Sequence, residues 1–146
     1  MLPARDGDLA VNGPGADVFI SYSHADREWV TRALLPALEG AGLQVIVDYR
    51  DFQIGTPSRI NMEHAVEKSR HTLLVLTPSW VQSEWTEFES LLVGTADPAG
   101  RRRKLIPLML EPCILPPRIA MITYADLTDP STRNETLVRL LRTLSR

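Results

Sequence analysis

The sequence predicts an α/β domain with a parallel, doubly wound sheet. Three observations carry this expectation. Short apolar runs alternate with helical patterns from Asp17 onward. The run Thr72-Leu73-Leu74-Val75-Leu76-Thr77 is continuously apolar at its centre, as a strand covered on both faces requires. The 146 residues are the size of one ordinary domain, able to bury roughly 68–70% of the unfolded surface without a disulfide or metal.

The elements follow in order. Residues 1–16, punctuated by Pro3, Gly7, Gly13, Pro14 and Gly15, read as a flexible lead-in, leaving one domain over 17–146. Val18-Phe19-Ile20-Ser21-Tyr22 is the first strand. A helix from about Asp26, with Ser23 and Asp26 in capping-box-like positions, carries Val30, Leu34 and Leu38 with Trp29, Ala33 and Ala37 at a 3.6-residue period. Pro36 should kink it, and Gly40 and Gly42 end it. Leu43-Gln44-Val45-Ile46-Val47 is the second strand, and residues 49–56 form a loop. Thr56 can cap and Pro57 can start the second helix, whose inner face is marked by Met62 and Val66.

After the third strand Pro78 acts as a stop. A third helix is expected near Ser83 as N-cap, with Glu84 and Glu87 in its first turn and Phe88, Leu91 and Leu92 facing inward. Residues 104–110 form a fourth strand and residues 122–125 a weaker fifth. Leu137, Val138, Leu141 and Leu144 stripe the last helix.

Composition narrows the function classes. A net charge of −2, from 16 basic and 18 acidic residues, gives no field that would make nucleic acid or an anionic membrane the main partner. The run Arg101-Arg102-Arg103-Lys104 reads as a solvated loop rim. A lone cysteine, Cys113, fits buried filler in a reducing compartment. No signal-peptide core and no stretch of roughly 18 apolar residues is present, so a soluble, cytoplasmic protein is expected.

Five parallel strands wound both ways take the flavodoxin-like order 2-1-3-4-5, with ligands bound outside the C-terminal ends of strands 1 and 3. Here those ends are Tyr22-Ser23-His24 and Thr77-Pro78-Ser79-Trp80. Trp85 and Glu89, four residues apart, share one helix face toward this switch point. A phospho-receiver is excluded because Thr77-Pro78 and Ser21-Tyr22 stand where its acids would be. The first strand lacks a glycine-rich turn, no nucleophile-elbow serine occurs, and His24, His64 and His71 have no metal-site spacing. No metal and no cofactor are expected.

At this point a resemblance enters. Asp17-Val18-Phe19-Ile20-Ser21-Tyr22-Ser23 resembles the opening box of TIR domains. Asp48 through Gly55 resembles the family's loop after strand 2. The segment Ser69 to Ser79, followed by Ser83-Glu84-Trp85-Thr86-Glu87-Phe88-Glu89, resembles its strand-to-helix box. The match runs in order over about nine-tenths of the chain, and its flavour is bacterial. It implies a protein that hydrolyses or cyclises NAD, as a substrate, with Glu89 as the catalytic carboxylate. Trp85, Tyr22, Ser23 and Ser79 are implied as substrate-binding residues. It also implies self-association with other TIR domains, through the loop carrying Asp48, Phe52, Ile54 and Gly55, and a sensor domain or partner protein in a defence or signalling system. A non-enzymatic scaffold that only assembles with other TIR domains is the alternative. Two positions depart from many relatives: Thr86 follows the tryptophan where cysteine is common, and Ser23-His24 stands where some active members carry arginine.

Overall fold

The computed structural model of the chain describes residues 15–93 and 105–146. Five parallel strands, β1 (Ala16–Ser21), β2 (Val45–Ile46), β3 (Ser69–Leu76), β4 (Leu105–Met109) and β5 (Ala125–Asp126), stand in the order β2-β1-β3-β4-β5. This is the expected doubly wound order. The lead-in up to residue 14 and the Arg101–Lys104 run lie outside the described residues.

Strand alternation sorts the core into two layers. Val18, Ile20, Leu73 and Val75 pack on one face with Leu34, Leu38, Leu140 and Leu144. Phe19, Leu74 and Leu76 pack on the other with Val66, Trp80, Phe88, Leu91 and Ile119. The first layer is covered by a helical run over residues 24–40, α1, and by α7 (Arg133–Ser145). The second is covered by α3 (Ser58–Lys68), α4 (Pro78–Ser83), α5 (Trp85–Val93) and α6 (Pro117–Ala120). A short helix, α2 (Asp48–Asp51), opens the segment after β2, where the sequence predicts only loop.

The kink expected at Pro36 takes the form of a wide turn. Residues Val30–Leu34 form a π-turn, with the Leu35 amide donating to the Val30 carbonyl. Pro36 lacks the amide that would bond the carbonyl of Arg32, and the widened turn just before it accommodates its ring. Leu35, not Ala33, joins Val30, Leu34 and Leu38 inside; Ala33 is exposed.

Five other expectations are corrected. Pro78 does not merely stop β3. It opens α4, because Thr77 caps that helix by accepting the Trp80 amide on its hydroxyl at 3.1 Å, and proline is well placed in a first turn. Ser83 is therefore the last residue of α4, its hydroxyl donating to the Ser79 carbonyl, and α5 starts at Trp85. Pro57 itself occupies the N-cap position of α3, so Thr56 lies outside the helix and caps nothing. The fifth strand is Ala125–Asp126 rather than 122–125, because the Ile122 amide closes α6 on the Ile119 carbonyl. On α7, Leu140 takes the inward position and Val138 faces solvent, so the stripe is Leu137, Leu140, Leu141 and Leu144.

Among the described residues no helix is long and apolar enough to cross a membrane, and no group of His, Cys, Asp and Glu could hold a metal ion. Cys113 is half-buried; burial, then the nearby Glu111, raise its thiol above the usual value and keep it protonated.

Candidate functional site

The register of β1 on β3 sets Ser21 opposite Leu74, so the residues that follow each strand emerge side by side. Two side-chain bonds tie these ends together. Trp80, fully buried in the first turns after β3, donates its indole N–H to Ser21 Oγ at 3.1 Å. Thr77 donates its hydroxyl to Asp26 Oδ2 at 2.7 Å, linking the end of β3 to the first turn of α1. The polar partners of a buried indole and a buried threonine are thereby satisfied across the switch point.

Trp80 also organises what comes next. Its ring centroid lies 5.9 Å from that of Trp85 and 6.1 Å from that of Phe88, both in tilted arrangements. Trp85 is half-buried against this cluster. Glu89 lies one turn beyond Trp85 on the same edge of α5, flanking the buried face formed by Phe88, Leu91 and Leu92. It is half-buried, and its carboxylate makes no hydrogen bond or ion pair among the described residues. A carboxylate left unengaged beside an aromatic wall is free to act on something brought to it.

On the other side of β1 from β3 lies the segment after β2. Tyr22, almost fully buried, donates its hydroxyl to Asp48 Oδ1 at 2.6 Å. Burial, followed by this bond to a carboxylate, raises the Tyr22 hydroxyl well above the ordinary tyrosine range. His24 Nε2 stands 3.9 Å from the other Asp48 oxygen, and the Arg27 guanidinium lies 4.6 Å over the Tyr49 ring. Arg50 fastens α2 from behind, donating to the Val45 carbonyl at 2.8 Å and pairing with Glu39 at 2.9 Å.

The predicted site residues thus fall into distinct places. Tyr22 and Ser23 are buried, with hydroxyls engaged internally: Tyr22 on Asp48, Ser23 accepting the Ala25 amide at 3.3 Å. Ser79 is half-buried in the first turn of α4. The four loop residues are split. Asp48 faces Tyr22, and Phe52 is half-buried with its ring 5.9 Å from Phe19. Ile54 is fully exposed, and Gly55 adopts φ +91°, a left-handed conformation that favours glycine.

The sequence placed Thr77 and Trp80 at the end of the third strand and Asp26 at a cap, but not the contacts they make, and it gave no sign of Asn61. Asn61 is buried on α3. Its carbonyl accepts the Gln53 amide at 3.1 Å, and its amide donates to the Gln53 and Thr56 carbonyls at 3.2 and 3.3 Å. The Thr77-Pro78 pair, a cap followed by proline, was the available signal for α4 and hence for Trp80.

With this geometry in view, the comparisons are specific. The family model described as TIR domain matches residues 18–141, and the chain belongs to the TIR domain family. Its relatives span animal receptors and a bacterial enzyme. It is similar to human Toll-like receptor 1, 38% identical over 94 residues, which cover 64% of this chain and 12% of the receptor. It is similar to the 2′ cyclic ADP-D-ribose synthase of Bacteroides thetaiotaomicron, 30% identical over 73 residues, covering 50% of this chain and 25% of that protein. The crystal structure of the TIR domain of the Toll-related receptor TRR-2 from Hydra magnipapillata superposes with a TM-score of 0.77 at 28% identity, covering 90% of this chain and 99% of that one. The chain thus spans only a small part of the length of the curated relatives it matches.

Proposed function

We propose that this TIR domain cleaves the nicotinamide–ribose bond of NAD, with Glu89 as the catalytic carboxylate, and that it does so in a self-assembled state. The observation that carries the proposal is the unengaged Glu89 carboxylate one helical turn from Trp85, on a wall anchored through Trp80 to the end of β1. The similarity to a bacterial synthase named for a cyclic ADP-ribose product supports it.

The chemistry needs few groups. Glycosidases usually employ two carboxylates because the leaving oxygen must be protonated. Nicotinamide leaves from a pyridinium that already bears positive charge. The C1′–N bond breaks, its electron pair departs with neutral nicotinamide, and no acid is needed. Glu89 stabilises the developing oxocarbenium ion and orients ribose hydroxyls. Water then adds at C1′ and releases a proton to give ADP-ribose, or an internal hydroxyl adds to give a cyclic isomer. Trp85 supplies a flat apolar surface that excludes water, and Ser79 a hydroxyl at the mouth. Tyr22 and Ser23, with their hydroxyls committed inward, support the walls. Ile54, exposed on its loop, is the contact for a second TIR domain. Incubating concentrated protein with NAD and following nicotinamide by mass spectrometry tests the proposal, and the same spectra separate the two products.

A second reading is a scaffold that assembles with other TIR domains and cleaves nothing. The higher identity to a Toll-like receptor favours it. Absence of nicotinamide at every protein concentration, with self-association intact, selects that reading.

A further inference from the structure

At the opposite end of the sheet, the N-terminal ends of β4 and β5 and the last turns of α7 enclose an open groove of about 460 Å³. Its lining combines three arginines, Arg139, Arg142 and Arg146, with Tyr124 and the apolar Ile106 and Leu140. Among the described residues none of the three guanidinium groups is in an ion pair or donates a hydrogen bond.

Cations near a helix C-terminus commonly serve its carbonyls and dipole. Here that task falls to another residue: Arg70, on β3, donates to the Leu144 carbonyl at 2.9 Å and pairs with Asp17. The groove's one acidic side chain, Asp126, has one of its two oxygens engaged. Its Oδ1 accepts the Thr128 hydroxyl at 2.6 Å and the Thr128 amide at 2.9 Å. Three arginines therefore share the groove with a single carboxylate side chain.

We propose that this groove binds an organic polyphosphate with an aromatic ring, of the class of a nucleoside diphosphate. Guanidinium forks match phosphate oxygens bidentately, and three of them call for a multiply charged ligand. Tyr124, partly exposed, offers a face for ring stacking, and Ile106 and Leu140 supply an apolar floor. The volume lies within the range of small-molecule sites. The groove is distinct from the wall that carries Trp85 and Glu89, and the proposal stands independently of the reaction assigned there.

Calorimetric titration of ADP into the whole chain at low ionic strength tests it, since exposed charge pairs are screened by salt. The expected result is saturable binding with a Kd below about 1 mM. The double variant R139A/R142A should weaken it at least about tenfold while W85A leaves it unchanged, which separates this groove from the other site. Three results would overturn the proposal: no saturable binding, binding lost in W85A but kept in R139A/R142A, or full affinity in R139K/R142K, which would reduce the effect to diffuse charge. All four alanine and lysine replacements fall at exposed positions, so unchanged melting temperatures confirm that binding, not folding, was altered.

Discussion

Trp80 and Trp85, five positions apart, carry different expectations: the first for stability, the second for the proposed chemistry. Trp80 is fully buried and holds a hydrogen bond to Ser21, so Trp80→Ala should cost about 3–5 kcal/mol and lower the melting temperature sharply. Trp85 is half-buried, and its truncation should cost less stability but most of the NAD cleavage. A Trp85→Ala protein that melts far earlier yet turns over NAD normally in the cold would move Trp85 from the site to the core. Tyr22 makes a prediction about pH. Its hydroxyl is shifted upward in the folded state, so its contribution is fully present below the unfolded value, about pH 10, and is lost as pH rises beyond it. Melting temperatures of the native chain should therefore fall above pH 10, and those of Tyr22→Phe should fall less steeply. Parallel curves for the two proteins would show that the Tyr22–Asp48 bond is not the alkaline-sensitive contact.

At the scale of elements, the loop between β2 and α3 is held at both ends. Asp48 bonds Tyr22, Phe52 packs on Phe19, and Asn61 bonds Gln53 and Thr56, leaving Ile54 as the large apolar side chain that projects. Asn61→Ala should cost about 1–3 kcal/mol and speed hydrogen exchange at the Gln53 amide, which loses its acceptor. Unchanged exchange at Gln53 would contradict this role for Asn61. The loop also shows where the sequence was legible. Its position between two complete elements, its apolar content and its glycine could all be read from residue types. Which apolar residue turns inward could not, because Phe52 and Ile54 differ only in whether Phe19 lies within reach, a fact of tertiary packing. The same limit explains α4. The apolar run of β3 and the helical stripe around Phe88 are periodic signals, whereas a six-residue helix between them is too short to show a period. Trp85 and Glu89 were legible because four residues along a helix fix one edge. Trp80, Thr77 and Asp26 were not, since they meet only after β1 and β3 pair.

The molecule as a whole joins an α/β scaffold to a site proposed to be completed by a neighbour. Ile54→Asp, at a fully exposed position, should leave thermal stability within about 0.5 kcal/mol. It should nonetheless abolish self-association, and with it nicotinamide release. In the native chain, activity per molecule should rise steeply with concentration, because an incomplete site gains its missing wall by mass action. Specific activity that stays flat across a wide dilution series, and unchanged in Ile54→Asp, would mean that each domain carries a complete site.

Whether the proposed cleavage of NAD depends on Glu89 is decided by one matched comparison. The native chain and Glu89→Gln are incubated with NAD at the same high concentration, and nicotinamide is quantified over time. Glu89 is a half-buried helix position with an unengaged carboxylate, so the variant should melt and self-associate like the native chain. Nicotinamide is expected from the native chain and none above background from Glu89→Gln. Equal release by the two proteins would contradict it.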